Sequence, residues 1–334
     1  MSSTGKPGTR TVRIGSLTVG DGPAVVVGGA GIAGPDADAW WISLREPEAA
    51  GAIAGARSAW DGPLLVEPSS AGDLPAIVAH ADGLVVGTGD LPLVRAAARS
   101  NLPIVVRRGP RASLEEWLDA AGHCAAEGND GVVLCEGGDT DAAGTAVDLA
   151  LLRAARVRAG RPVLAALGAD AGLAGAAVAA GADGLWLAPE AGADAVEAAR
   201  EAVILVGALV REERPGTVAA ARGAIDRVDA ALAVLLERRA ALAGTVQRLK
   251  PVGGFAGRDM DRERRLVAAM ARRAPCLGEV RLAPIMNAVI ESGLHLAEER
   301  RGDSRENGRE PSPEGDRRGR MGVQALAGSG QDHD

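Results

Sequence analysis

The sequence of 334 residues has no tyrosine, a single phenylalanine, three cysteines and four histidines. The spacing of Cys124, Cys135 and Cys276 fits neither a disulfide framework nor a zinc site, and a reduced compartment is therefore expected. The histidines are scattered along the chain. We therefore expect no metal and no other cofactor.

Charge and hydropathy indicate whether the protein binds nucleic acid or a membrane. The formal net charge is -7, and no basic patch is interleaved with aromatic residues, so nucleic acid is not an expected partner. No apolar run is long enough to span a bilayer. Residues 1–15 also lack the apolar segment of a signal peptide. We therefore expect a cytoplasmic protein that contacts no membrane.

From Gly22 to about Val210, eight short apolar runs alternate with amphipathic segments. This alternation predicts parallel strands joined by helical crossovers. It favours a compact (β/α)8 TIM-type barrel, and a doubly wound open sheet is the main alternative. The predicted strands are Ala24–Val27, Trp41–Leu44, Leu64–Val66, Gly83–Val86, Ile104–Val106, Gly131–Leu134, Val163–Ala166 and Gly184–Leu187. Predicted helical segments include Leu91–Ser100, Ser113–Glu127, Thr145–Ala159 and Gly172–Ala180.

A polar break at Arg211–Gly216 ends this region. The apolar residues from Ile225 to Leu249 then recur at helical spacing and predict one long amphipathic helix. A second helix is predicted to begin near Asp259, a suitable N-cap, and a third near Gly278. The predicted organisation is an N-terminal extension (1–20), a barrel (21–212), an all-α module (218–300) and a polar, disordered tail (301–334).

Charged residues of the helical module fall on shared faces. Arg239 and Lys250 are about three helical turns apart, roughly 16 Å along the axis. Two long cations at this separation can close on the ends of a ligand the size of a substituted ring. Asp259, Arg262 and Glu263 share a face of the second helix at spacings i, i+3 and i+4. Ion pairs on an exposed helix are the commoner explanation of such a pattern.

Beyond these spacings, the helical module resembles a known family. The string ARGAIDRVDAALAVLLERRAALAGTVQRLK, followed by GRDMDRERRL, is similar to the AroQ-class chorismate mutases. The match has no gaps from Arg222 to Leu266, and APIMNAVIESG resembles the family's last helix. The resemblance implies an intertwined, all-α homodimer of three-helix subunits that converts chorismate to prephenate.

The resemblance also implies roles for particular residues. Arg239 and Arg262 would bind substrate carboxylates, Lys250 would lie near the breaking ether bond, and Glu263 would accept the substrate hydroxyl. Asp259 would orient groups in the site. Arg222 would be the arginine that each site borrows from its partner subunit. These residues, with Ser292, form the candidate site.

The last helix departs from the family pattern. The family's serine aligns with Gly293, and its glutamine or glutamate, which hydrogen-bonds the ether oxygen, aligns with Ala297. Ser292 and Glu298 are each one residue away, about 100° around a helix. Loss of such a donor typically slows a reaction about 100- to 1000-fold. Three consequences are therefore possible at this point. The domain turns chorismate over slowly, it acts on a related substrate such as 4-amino-4-deoxychorismate, or a partner protein assists the reaction.

The N-terminal region resembles the type I DAHP synthases, in the short subfamily that is sometimes fused to a C-terminal mutase. RASLEEWLDAAGHCAAEGNDGVVLCEGG carries the resemblance most clearly, with support from ADGLVVG, LPIVVRRG and AAGADGLWL. The residues that bind the metal in this family align with Gly31, Ala169 and Ala188. Two of the family's arginines align with Gly89 and Gly137, and its lysine aligns with Arg107. Its basic loop is replaced by Arg45–Glu48. Only Arg107, Arg108 and Glu136 keep polar character at these strand ends.

Condensation of phosphoenolpyruvate with erythrose 4-phosphate requires a metal-activated carbonyl and a phosphate clamp. The barrel is therefore expected to be a catalytically inactive scaffold or regulator beside a chorismate mutase. Two alternatives remain. One is a non-catalytic chorismate- or prephenate-binding regulator, whose partner would be a genuine DAHP synthase. The other is a bifunctional DAHP synthase and chorismate mutase.

Overall fold

The computed structural model describes residues 10–29, 37–45, 51–137, 139–141, 144–250, 252 and 254–307. The chain forms two compact units, Met1–Val234 and Leu235–Asp334. The boundary between the units falls inside a long helix, whereas the sequence places a domain boundary at the polar break before that helix. Residues 211–217 are indeed free of regular structure.

Eight parallel strands of the first unit form a closed barrel. The described strands are β1 (Val12–Ile14), β2 (Leu17–Val19), β3 (Val25–Gly29), β4 (Ala39–Ser43), β5 (Leu64–Glu67), β6 (Gly83–Gly87), β7 (Ile104–Arg107), β8 (Val132–Glu136), β9 (Asp139–Asp141), β10 (Gly144–Ala146), β11 (Val163–Gly168) and β12 (Gly184–Leu187). The barrel order is β11-β12-β3-β4-β5-β6-β7-β8, and β1–β2 and β9–β10 are separate two-stranded sheets.

The barrel confirms the predicted fold and excludes the open sheet. Each of the eight predicted apolar runs overlaps one barrel strand, because strands buried on both sides read as short, nearly continuous apolar runs. The pairing of β12 with β3, for example Leu185 with Val26, closes the sheet on itself. The two small antiparallel sheets are not among the predicted elements.

Helices follow most of the barrel strands. The described helices are α1 (Ala52–Ala59), α2 (Leu74–His80), α3 (Leu91–Ala98), α4 (Leu114–Ala126), α5 (Leu149–Ala159), α6 (Ala174–Ala180), α7 (Ala193–Val210), α8 (Val218–Leu249), α9 (Met260–Ala271) and α10 (Gly278–Asn307). The helix predicted from Thr145 begins four residues later, because the carboxylate of Asp148 accepts hydrogen bonds from the backbone N–H groups of Ala150 and Leu151. Thr145 itself belongs to β10.

Side chains fill the interior of the barrel. The hairpin of β1 and β2 contributes Ile14 and Val19 to an interior cluster that also contains Trp41 and Trp186. The two indole rings lie 4.9 Å apart, and Nε1 of Trp41 donates to the carbonyl oxygen of Leu187 at 2.8 Å. The interior is thus a packed core and not a channel, as is usual for this architecture.

The second unit contains the C-terminal part of α8 together with α9 and α10. Leu282, Met286 and Leu294 of α10 are buried. Helix α10 begins at Gly278, as predicted, but continues to Asn307, seven residues into the segment predicted to be a disordered tail. The rest of that segment, 308–334, lies outside the described residues. Among the helices that the structure describes, none combines the length and apolar character needed to cross a membrane.

Candidate functional site

A pocket of about 270 Å³ opens among the three helices of the second unit. Helix α8, the segment leading into α9 and the first turn of α9 supply its charged residues, while apolar side chains of α8, α9 and α10 complete the wall. The lining residues are Arg239, Leu242, Ala243, Val246, Gln247, Lys250, Arg258, Asp259, Arg262, Glu263, Leu266, Ile290 and Leu294. A pocket of this size that is lined by cationic and apolar side chains suits a small, amphipathic anion.

Arg239 and Lys250 lie on the same face of α8 and both line this pocket. The half-buried Arg239 donates from Nη1 to the carbonyl oxygen of Val289 at 3.3 Å. Burial lowers the pKa of Arg239 from its ordinary value, and the positive charge of Arg262 lowers it further, whereas the carboxylate of Glu263 raises it. The cations are therefore crowded, and an anionic ligand would relieve their mutual repulsion.

Lys250 and Asp259 already have partners within the protein. Nζ of Lys250 donates to the carbonyl oxygen of Gly257 at 2.8 Å, which leaves further N–H donors of the ammonium for a ligand. The carboxylate of Asp259 accepts from the backbone N–H of Arg262 at 2.9 Å and caps α9. This hydrogen bond is the main reason that the pKa of Asp259 lies below its ordinary value.

Arg258 is a pocket residue that the sequence does not single out. Its Nε and Nη2 donate to the two carboxylate oxygens of Glu263 at 3.1 and 2.6 Å. Nη1 also donates to Glu291 at 3.2 Å, and Nη2 to the side-chain oxygen of Asn287 at 2.8 Å. Bonding to Glu263 raises the pKa of Arg258. In contrast, the side chain of Arg262 has no hydrogen-bonding partner among the residues that the structure describes.

The first unit holds a buried ion pair at the carboxyl ends of β7 and β8. Nε and Nη2 of Arg108 donate to the two carboxylate oxygens of Glu136 at 2.6 and 2.7 Å. Both side chains are at most 3% exposed. Nη1 of Arg108 donates to the carbonyl oxygen of Ala112 at 3.0 Å. Arg108 and Glu136 therefore form a buried ion pair at these strand ends.

Small residues occupy the neighbouring strand ends. A Cβ added at Gly137 would lie 2.6 Å from the backbone oxygen of Arg108, so a side chain does not fit there. Gly31 and the 46–48 part of the replaced loop lie outside the described residues. Within the part of the chain that the structure describes, no three metal-ligating side chains come together.

The comparison with protein families concerns the helical part of the chain. Residues 221–298 match the family described as chorismate mutase type II. This segment is a chorismate mutase type II domain. The resemblance seen in the sequence is therefore confirmed for nearly the whole predicted module. No curated protein matches the chain.

Solved structures resemble the barrel. A truncated form of 3-deoxy-D-arabino-heptulosonate 7-phosphate synthase from Thermotoga maritima aligns with a TM-score of 0.52 and 18% identity, over 62% of this chain and 96% of that chain. A DAHP synthase (phospho-2-dehydro-3-deoxyheptonate aldolase) from the same organism has a TM-score of 0.46 and 19% identity, over 54% of this chain and 63% of that one. At this identity the likeness concerns the fold alone. The barrel thus has a DAHP synthase-like fold N-terminal to the chorismate mutase domain.

The structure brings five of the seven candidate residues of the chorismate mutase domain into the pocket: Arg239, Lys250, Asp259, Arg262 and Glu263. Arg222 lies exposed on α8 and is not part of the lining. Ser292 is also exposed, and its Oγ donates to the carbonyl oxygen of Ala288 at 2.8 Å. The structure does not place Ser292 at the pocket, because the wall formed by Ile290 and Leu294 lies on another side of α10.

Gly293 and Ala297 lie on the side of α10 that faces α8. A Cβ added at Gly293 would stand 3.8 Å from Cβ of Ala243 and 3.9 Å from Nη1 of Arg239, both ordinary contact distances. Ala297 follows Gly293 by four residues and therefore shares its face. The chorismate mutase domain has room for a Cβ at position 293, and neither Gly293 nor Ala297 provides a side-chain donor.

Proposed function

We propose that this protein is a chorismate mutase, which converts chorismate to prephenate in the pocket of its helical unit. The observation that carries the proposal is the position of Arg239, Lys250 and Arg262 around one pocket within a chorismate mutase type II domain. Chorismate carries two carboxylates and a bridging ether. Three cations around an apolar wall match that distribution of charge.

The reaction is a rearrangement within one molecule and needs no nucleophile. It needs the substrate held in a compact conformer and positive charge beside the ether oxygen, which becomes more negative in the transition state. In the proposed arrangement, the planar guanidinium groups of Arg239 and Arg262 bind the carboxylates. Lys250 stabilises the ether oxygen, and Glu263 accepts the hydroxyl hydrogen.

Arg239→Ala is expected to lower kcat/KM for chorismate by about 10- to 100-fold, because hydrogen bonds to charged groups contribute about 1.5–3 kcal/mol. The measurement is the loss of chorismate absorbance. Arg238→Ala is the matched control, since Arg238 is the exposed neighbouring arginine and lies outside the pocket. Equal background rates for the wild type and Arg239→Ala would falsify the enzymatic proposal.

The proposed active form is a homodimer that is intertwined through α8. Residues along this helix leave apolar side chains exposed: Ile225 58%, Val228 52%, Leu232 49%, Leu235 49%, Leu242 62% and Leu249 79%. A second copy would cover such a stripe and would bring its own Arg222 to the pocket. Sedimentation of the active protein as a monomer would contradict this arrangement.

For the barrel we propose a role without DAHP synthase activity, as a scaffold or as a regulatory partner of a genuine DAHP synthase. Two observations support the absence of synthase activity. Arg108 and Glu136 form a buried ion pair, and the backbone oxygen of Arg108 leaves no space for a side chain at Gly137. The small Ala169 and Ala188 add to this support, because they align with metal ligands of the synthases.

The purified protein is expected to release no phosphate from phosphoenolpyruvate and erythrose 4-phosphate, with or without added Mn²⁺. An authentic DAHP synthase in the same assay is the positive control. Phosphate release that depends on metal and disappears with a chelator would instead establish the bifunctional alternative.

A non-catalytic regulator that binds chorismate or prephenate is the second candidate function. The observation that favours it is the pair Gly293 and Ala297, which leaves the facing side of α10 without a donor for the ether oxygen. Calorimetry separates the two candidates, because a regulator would bind chorismate with measurable heat and leave it unchanged. The same titration with 4-amino-4-deoxychorismate tests the related substrate.

A further inference from the structure

We propose that Arg258 is a positioning residue that holds the carboxylate of Glu263 in place and does not itself bind the substrate. The inference rests on the proposed chorismate mutase function and deepens it. A second arginine, Arg262, lies four residues further along the chain and lines the same pocket. The two arginines differ in what their guanidinium groups already bind.

Both carboxylate oxygens of Glu263 are engaged by Arg258, through Nε at 3.1 Å and Nη2 at 2.6 Å. The two side chains are only 16% and 14% exposed. A two-bond, charge-assisted pair that is largely shielded from water fixes the orientation of the carboxylate as well as its charge. Glu263 is therefore presented to the pocket in one orientation.

The other contacts of Arg258 tie this pair to α10. Nη1 donates to Glu291 at 3.2 Å, and Nη2 donates to the side-chain oxygen of Asn287 at 2.8 Å. The guanidinium thus connects the segment before α9, helix α9 itself and helix α10. A substrate carboxylate could bind Arg258 only by displacing these partners, and this argues against a direct binding role.

The ion pair of Arg258 with Glu263 also keeps this carboxylate from pairing with the arginines that are proposed to bind the ligand. The charges of Arg262 and Glu263 both act on Arg239, so the carboxylate lies within electrostatic reach of the arginines that line the pocket. Without Arg258, the free carboxylate would pair with Arg239 or Arg262. Arg258 therefore both orients Glu263 and keeps the two ligand-binding arginines available.

The test is a double-mutant cycle of Arg258→Gln and Glu263→Gln in the full-length protein, with kcat and KM measured for chorismate. Arg258→Gln is expected to lower kcat/KM about 10-fold in the wild-type background and less than about threefold in the Glu263→Gln background, because contacting residues couple. The loss is expected mainly in kcat, because Arg258 positions Glu263 and does not itself bind the substrate.

Arg258→Lys keeps the charge without the two-bond geometry. It should recover part of the rate, and it replaces Arg258→Gln in the cycle if that variant does not fold. An equal loss in both backgrounds, or a higher KM with unchanged kcat, would overturn the proposal. A wild type without turnover would instead overturn the proposed function itself.

Discussion

Replacing Ala297 with glutamine is expected to raise the rate of chorismate rearrangement by about 100-fold or more. Position 297 aligns with the side chain that hydrogen-bonds the ether oxygen in the AroQ-class enzymes, and a missing donor of this kind costs about 100- to 1000-fold in rate. The position lies on the same side of α10 as Gly293, which faces Arg239 of the pocket. A glutamine there would add an amide donor to the side of α10 that carries Gly293.

The matched control is Ala297→Met, which adds a chain of similar length without an amide donor. The rate constants of Ala297→Gln and Ala297→Met are measured under saturating chorismate. Both variants are then made again together with Gly293→Ser, which introduces the hydroxyl that the family has at this position. If the methionine variant is as fast as the glutamine variant, the gain comes from filling space. If neither is faster than the wild type, the natural pocket has a donor elsewhere or a different substrate.

Arg108→Met is expected to lower the free energy of unfolding of the barrel by about 3–5 kcal/mol, because it removes the cation that makes two hydrogen bonds to the buried carboxylate of Glu136. Glu136 is fully buried, so water cannot replace the lost guanidinium. The additional change Glu136→Leu is expected to recover most of the loss, since it removes the buried charge whose ion pair was broken. The measurement is urea denaturation followed by tryptophan fluorescence.

Fluorescence suits this experiment, because all five tryptophans lie in the first unit. Arg99→Met is the matched control: Arg99 makes the same kind of two-bond pair with Glu127, but its side chain is 66% exposed. Little change is expected for that variant, since water can solvate the remaining carboxylate. A loss for Arg108→Met no greater than for Arg99→Met would contradict a structural role for the buried pair.

The sequence predicts the barrel well because parallel strands such as β5 and β7 are buried on both faces and their apolar runs are short and distinct. It also brings Arg239 and Lys250 to one face of α8, since helical periodicity alone determines that placement. It overlooks the hairpin of β1 and β2, whose three-residue strands are too short to show a period. It also misses the start of α5, where capping by Asp148 overrides the apolar pattern.

Residues whose roles depend on distant partners are harder to predict. Arg258 is one of several arginines in a charged run, and nothing in its spacing reveals that α10 will place Glu291 and Asn287 against it. Likewise, Glu136 is an isolated carboxylate in the sequence, and only the side-by-side pairing of β7 and β8 brings Arg108 to it. Tertiary packing, and not local pattern, determines both pairs.

The close approach of the backbone at Gly137 limits which residues this strand end can accept. A Cβ here would meet the backbone oxygen of Arg108 at 2.6 Å. A larger residue at position 137 would therefore displace the chain at Arg108 and disturb its ion pair with Glu136. A change of side chain at this strand end would need a matching change in the main chain between β7 and α4.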